Sequence, residues 1–322
     1  MGKKKKQDNP LCAIGIVVKD RWNLTHQTLM SLYFSAQKKS SYDVYIIDNG
    51  SSKDTISQLK AFVKSGLLPV KNLIVLPEEI EMSKAWNLFL CMAEDYPYRL
   101  KLDNDIVFQN SIPAVPAKPN PLYSPMADSA LGGAPISGAI IKGAGAALYL
   151  AMRRKMKQEY REVMTSKFLD HMIGFSKDFE VGLLSLVPVS PAQTFSAMAQ
   201  EIVGRTIGGR PYLFGACMMI TKPAFEQLGY FDERLARRID IEYSQRAIRN
   251  GINIGYHPSY YCTHIGADQS TEPSEVREAR YAAAIAISQK ELPIKCHADS
   301  IWVAAQKKII AASKKDTILS FN

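Results

Sequence analysis

An α/β fold, with a mostly parallel central sheet flanked by helices, is predicted by three features of the sequence. Short apolar runs alternate with segments of helical periodicity over the first hundred residues. The first run, Leu11 to Val18, is continuously apolar, as expected of a strand buried on both faces. Two of the apolar runs end in aspartates, at Asp48 and Asp103, and the carboxyl ends of parallel strands are where ligands bind in such sheets.

The elements follow in order. After Leu11 to Val18, Asn23 or Thr25 can cap a helix whose apolar residues Leu24, Leu29, Leu32 and Tyr33 fall at helical spacing. Val44 to Ile47 reads as a second strand, closed by the polar loop Asp48 to Asp54 that opens a helix through Ile56, Leu59, Phe62 and Val63. A third strand over Leu73 to Leu76 leads to a helix from Ser83 to Ala93, and a fourth strand ends at Asp103. Residues 111 to 145 hold six prolines, which excludes regular structure over most of that span. A helix from Ala147 to Thr165 follows, then regular text from Phe168 and a strand over Val181 to Val187 closed by Pro188. Tyr212 to Ile220 reads as another buried strand, and Pro223 to Leu228 as a short helix stopped by Gly229. Strand-like runs over Ile252 to Tyr256 and Ser259 to His264 precede two C-terminal helices, Pro273 to Lys290 and Ala298 to Ala312.

The predicted organisation is a disordered basic arm (1–9), a first half (10–110), a Pro/Gly-rich loop and basic helix insertion (111–165), a second half (166–266) and a helical C-terminal tail (267–322). The five cysteines are widely spaced in apolar surroundings without a C-x-x-C pair, so neither disulfides nor a zinc site is expected, and the compartment is read as cytoplasmic. No apolar run reaches the length of a membrane span. There is no G-x-G-x-x-G after the first strand and no P-loop motif, which sets aside a dinucleotide site and a P-loop NTPase. The net charge of +9 leans toward a polyanionic partner, with basic residues clustered at Lys3 to Lys6, at Arg153, Arg154, Lys155 and Lys157, and near the C-terminus.

Leu102-Asp103-Asn104-Asp105 is the stretch richest in chemistry. Unpaired buried carboxylates are costly, so two of them at a strand end suit a solvated edge that holds a hard cation or polar ligand. An ordinary Asx turn is the alternative. Other motifs keep it company: IIDNGSSKDT from Ile46, SKAWNLFL from Ser83, FGACMMITKPAFEQLGYFDE from Phe214, IDIEYSQRAIRNG from Ile239 and YYCTHIG from Tyr260. In this order the motifs resemble the family 2 glycosyltransferases of the GT-A fold.

The resemblance implies an inverting, metal-dependent transferase of the hexosyl or pentosyl class that uses a nucleoside-diphosphate sugar, a UDP-sugar first. Mn²⁺ or Mg²⁺ would neutralise the diphosphate leaving group as a Lewis acid. It implies Asp103, Asp105 and the occasional extra ligand His264 at the metal, a buried structural histidine being the alternative for His264. Asp48, Asn49, Ser51, Asn87, Lys101, Asp103 and Asn104 would line the donor. Asp240 stands at the position of the general base, where the usual preceding Glu is Ile239, and that departure makes Glu242 a competitor. Trp86 reads as a core aromatic. The acceptor is left between a hydroxymethylated base in DNA, as in bacteriophage DNA-modifying transferases, bound through Arg153, Arg154, Lys155 and Lys157, and a glycan or lipid-linked acceptor at a membrane surface. The altered Ile239 also admits a non-catalytic nucleic-acid or nucleotide-sugar binding protein.

Overall fold

The structure, a computed structural model, describes residues 10–35, 42–108, 168–189, 210–235 and 238–265 together with shorter stretches between 206 and 320. The N-terminal arm, the Pro/Gly-rich segment and the basic helix expected over Ala147 to Thr165 lie outside the described residues, as does most of the C-terminal helical tail.

The first half is built as strand and helix in turn: β1 (Cys12–Val18), α1 (Trp22–Ser35), β2 (Tyr42–Asp48), α2 (Lys53–Ser65), β3 (Val70–Val75), α3 (Met82–Met92), β4 (Tyr98–Asp103) and the short β5 (Ile106–Phe108). The second half contributes α4 (Phe168–Asp178), β6 (Val181–Val189), the two-residue strands β7 (Thr206–Ile207) and β8 (Arg210–Pro211), β9 (Cys217–Thr221), α5 (Lys222–Leu228), α6 (Ile239–Arg249) and β10 (Asn253–His264). A last strand, β11 (Ile318–Ser320), returns to the first half. Nine strands share one sheet in the order β11-β3-β2-β1-β4-β9-β6-β10-β5. The pairs from β11 to β4 are parallel, β9 runs antiparallel to both β4 and β6, and β5 closes the edge antiparallel to β10.

Helices cover both faces, which is why the strands are apolar on both. Ala13, Val17, Tyr45 and Ile47 pack with Trp86, Phe89, Leu228 and Tyr243 on one face. Ile14, Ile16, Val44 and Ile46 pack with Leu29, Leu32, Leu59, Phe62 and Met172 on the other. Trp86 is 2% exposed, the core aromatic its sequence context indicated. Among the described residues no helix is long and apolar enough to cross a membrane.

Four sequence expectations are corrected. α1 begins at Trp22, ahead of the expected caps, because the Arg21 carbonyl already accepts from the backbone N–H groups of Leu24 and Thr25. The apolar run from Tyr212 is not strand until Cys217, because its N–H groups are taken by side chains: Leu213 donates to Ser244 Oγ, Phe214 to Tyr256 Oη and Gly215 to Asp240 Oδ2. β6 continues through Pro188, which pairs with Cys262 of β10. Its other neighbour, β9, pairs only as far as Ser185, so among the described residues a missing N–H on that side costs no ladder bond. Finally, the C-terminal tail ends in a strand that adds to the sheet edge at β3.

Edge strand β5 is held by three hydroxyls of α1. Thr25 Oγ1 accepts from Asn104 Nδ2 at 3.0 Å, Thr28 Oγ1 from the Ile106 N–H at 3.0 Å and Ser31 Oγ from the Phe108 N–H at 3.2 Å. Residues three apart on a helix face the same way, and alternate strand residues do too, so the two repeats meet. The ladder fixes the turn between β4 and β5, and that turn carries Asp103 to Asp105.

Candidate active site

Sheet register brings the acidic residues to one edge. Val17 pairs with Asp103 and Val18 with Asp48, so the two aspartates flank the carboxyl end of β1. On the far side, His264 pairs with Ile106, and the Ile265 N–H donates to the Asp105 carbonyl at 3.0 Å. Asp103, Asp105 and His264 therefore converge, each offering one ligand atom within 4.8 Å of the others.

Asp105 is the buried member, 5% exposed. Its Oδ1 lies 3.1 Å from His264 Nε2 and its Oδ2 3.1 Å from Arg21 Nη2. Burial pulls the Asp105 pKa upward, but the His264 hydrogen bond and the His264 and Arg21 charges outweigh it and hold the carboxyl below its usual value. The His264 imidazole is lowered by desolvation and raised by its Asp105 partner, with a net rise. Asp103 is pushed up by desolvation and by Asp105, against the attraction of Lys101.

Lys101 is 5% exposed and stands 4.4 Å over the Trp86 ring. Its Nζ donates both to Asp103 Oδ1 and to the Gly215 carbonyl, the latter at 2.6 Å. The N–H of that same Gly215 donates to Asp240 Oδ2 at 2.9 Å. A Cβ at residue 215 would come within 2.8 Å of Asp240 Cβ, so this approach requires glycine.

Asp48 is fully buried. Its Oδ2 accepts from the Ser51 N–H at 3.3 Å, whereas Oδ1 has no partner among the described residues, and burial raises its pKa. Ser51 Oγ accepts from the Asp20 N–H at 2.7 Å, and Asp20 Oδ1 accepts from the Ser52 N–H at 2.8 Å. The loop after β1 is thereby bound to the loop after β2.

Three residues singled out from sequence have side chains engaged within the protein. Asn49 spends its amide on Ile80, donating to the carbonyl and accepting from the N–H, both at 3.0 Å. Asn87 is tied to the backbone of Phe231 and to Glu233, so its amide fastens α3 to the turn after α5 instead of lining a ligand space. Glu242 is fully buried and accepts from Arg246 Nη2 at 2.8 Å, while Arg246 also donates to the Leu228 and Tyr230 carbonyls. Glu242 is thus enclosed with its cation, whereas Asp240 is only partly buried. Glu242→Ala is expected to cost about 3–5 kcal/mol of stability by leaving a buried guanidinium unpaired. Thermal melting should show that loss, with turnover per folded molecule unchanged.

Sequence reasoning passed over Asp20 and Arg21. Both hold left-handed backbone, with φ of 50° and 55°, a conformation that costs non-glycine residues about 1–3 kcal/mol each. The signal available was a charged triplet, Lys19-Asp20-Arg21, directly after a strand buried on both faces.

No protein-family model matches the sequence, and no curated protein matches it. Solved structures do resemble the fold. A mannosyltransferase, PcManGT from Pyrobaculum calidifontis in complex with GDP-Man and Mn²⁺, gives a TM-score of 0.55 at 15% identity, covering 95% of this chain and 76% of that one. Residues 1–349 of TarS from S. aureus in complex with UDP give 0.50 at 13% identity, covering 94% and 70%. At such identities the likeness is one of architecture: the chain has the mostly parallel, helix-flanked α/β sheet of GT-A-type glycosyltransferases.

Proposed function

We propose that the protein is a divalent-cation-dependent glycosyltransferase that moves one sugar from a nucleoside-diphosphate sugar, a UDP-sugar first, to an acceptor hydroxyl with inversion. The observation that carries this reading is the convergence of Asp103, Asp105 and His264 at the strand ends of the sheet. Two carboxylates and an imidazole suit Mn²⁺, and Mg²⁺ less closely because of the nitrogen ligand. A cation held by these residues would supply Lewis-acid neutralisation of the diphosphate leaving group. A fold shared with a mannosyltransferase that binds GDP-Man and Mn²⁺ supports the same assignment, and the order of the sequence motifs supports family 2.

The remaining roles belong to the chain. Asp48, at the carboxyl end of β2 beside the end of β1, is the group that the family resemblance assigns to an N–H of the nucleobase. Asn104 and Ser51 shape the donor site through the contacts that hold their loops. Lys101 orients Asp103. Asp240, one oxygen fixed by the Gly215 N–H, takes the proton of the acceptor hydroxyl as general base. A single displacement of this kind inverts the anomeric centre.

For the acceptor, the net charge of +9 and the basic run at Arg153, Arg154, Lys155 and Lys157 support DNA carrying hydroxymethylated bases. Mass spectrometry of products, after nucleotide-sugars are offered with such DNA and Mn²⁺, tests both halves. A hexose or pentose adduct is expected. Inactivity toward every nucleotide-sugar, hydrolysis included, would leave a binding protein. A gel shift on duplex DNA should disappear when the four basic residues become Glu, and absence of any shift at low salt rules DNA out.

A further inference from the structure

The Arg21 side chain is about one-third exposed, at the rim of the site, yet its guanidinium reaches the almost wholly buried Asp105. With His264 on the other oxygen, each oxygen of Asp105 faces one nitrogen group. A divalent cation held by Asp103, Asp105 and His264 would take the place of the His264–Asp105 contact and would set its charge beside the guanidinium, drawing on the same carboxylate charge and repelling the arginine. Arg21 and the cation thus compete for one carboxylate.

The backbone of Arg21 cannot move far in response. Lys19 Nζ donates to the Gly50 carbonyl, the Asp20 N–H to Ser51 Oγ and the Ser52 N–H to Asp20 Oδ1, which pins the two left-handed residues against the loop after β2. Only the side chain is able to swing. A guanidinium released from Asp105 remains tethered between the aspartates of β2 and β4, and its planar fork matches phosphate oxygens bidentately.

We propose that Arg21 is a diphosphate-binding residue held in reserve: it occupies Asp105 until a divalent cation takes that carboxylate, then engages the diphosphate of the nucleotide. This rests on the donor-site reading given above. Because coupling is reciprocal, cation and nucleotide then bind with mutual enhancement that Arg21 provides.

Calorimetric titrations of the full chain with Mn²⁺ alone, and with UDP at saturating Mn²⁺, test it in wild type, Arg21→Gln, Arg21→Lys and Asp105→Asn. Arg21→Gln is expected to bind Mn²⁺ alone about threefold or more tightly, and UDP about tenfold more weakly. Arg21→Lys should return Mn²⁺ affinity to the wild-type level while recovering only part of the UDP affinity, since an ammonium lacks the fork. Arg21→Asn, a residue tolerant of left-handed backbone, serves in place of Arg21→Gln if the latter melts early. Unchanged or weakened Mn²⁺ affinity in the neutral variant, or unchanged UDP affinity, overturns the inference. If wild type binds Mn²⁺ and Asp105→Asn does not, the donor-site reading survives that result. Wild type that binds neither Mn²⁺ nor UDP overturns both.

Discussion

Asp105→Asn is expected to lower UDP affinity in Mn²⁺ by about a hundredfold or more. The asparagine keeps the volume of the side chain and one acceptor oxygen, so the loss isolates charge. That charge is well placed to matter. Asp105 is nearly enclosed, its pKa is held low by His264 and Arg21, and it is therefore ionised throughout the neutral range. The site around it gathers a second carboxylate and an imidazole within 4.8 Å, a donor set that could hold a divalent cation. Titration of UDP with and without Mn²⁺ provides the check, and chelation of the metal from wild type should reproduce the variant. Equal wild-type affinity in both conditions contradicts the metal-dependent donor site.

Asp240→Asn should separate binding from chemistry. Turnover is expected to fall by about 10²–10⁴-fold, the usual contribution of a positioned general base, with UDP and Mn²⁺ affinities within about twofold of wild type. The asparagine oxygen still accepts from the Gly215 N–H, so the turn before β9 stays in place and only the proton acceptor is lost. Single-turnover kinetics at saturating donor would expose the defect in the chemical step. Full turnover in Asp240→Asn would move the base elsewhere, and not to Glu242, which is sealed in the core with Arg246.

The residues that were legible in sequence are those whose chemistry and local pattern coincide. The continuous apolar run of β1 and the aspartates closing β2 and β4 announced a parallel sheet and the edge where the acidic residues gather. What sequence could not show depends on where hydrogen bonds and partners come from. Tyr212 to Ala216 is apolar because it is largely buried, but its N–H groups are satisfied by Ser244, Tyr256 and Asp240, so apolarity did not mean strand. Glu242 and Arg246 have the i,i+4 spacing of an ordinary surface pair, and only the packing of α6 against the turn after α5 reveals that they are buried. Arg21 meets Asp105 across 84 positions of sequence because a left-handed turn aims it there, which no propensity scale encodes. The three residues of β11 are too few to carry a period.

Gly215 bears on how the two substrates communicate. Its N–H holds Asp240 and its carbonyl holds Lys101, which in turn grips Asp103. Gly215, where two amide planes meet at one Cα, thus joins the group proposed to activate the acceptor to a group proposed to bind the donor. A shift of Lys101 as the donor settles would turn the Gly215 carbonyl and, through the φ and ψ of that one glycine, re-aim Asp240 without any lid. Donor occupancy would then be reported to the acceptor side in the geometry of a single bond, favouring ordered addition with the sugar nucleotide first.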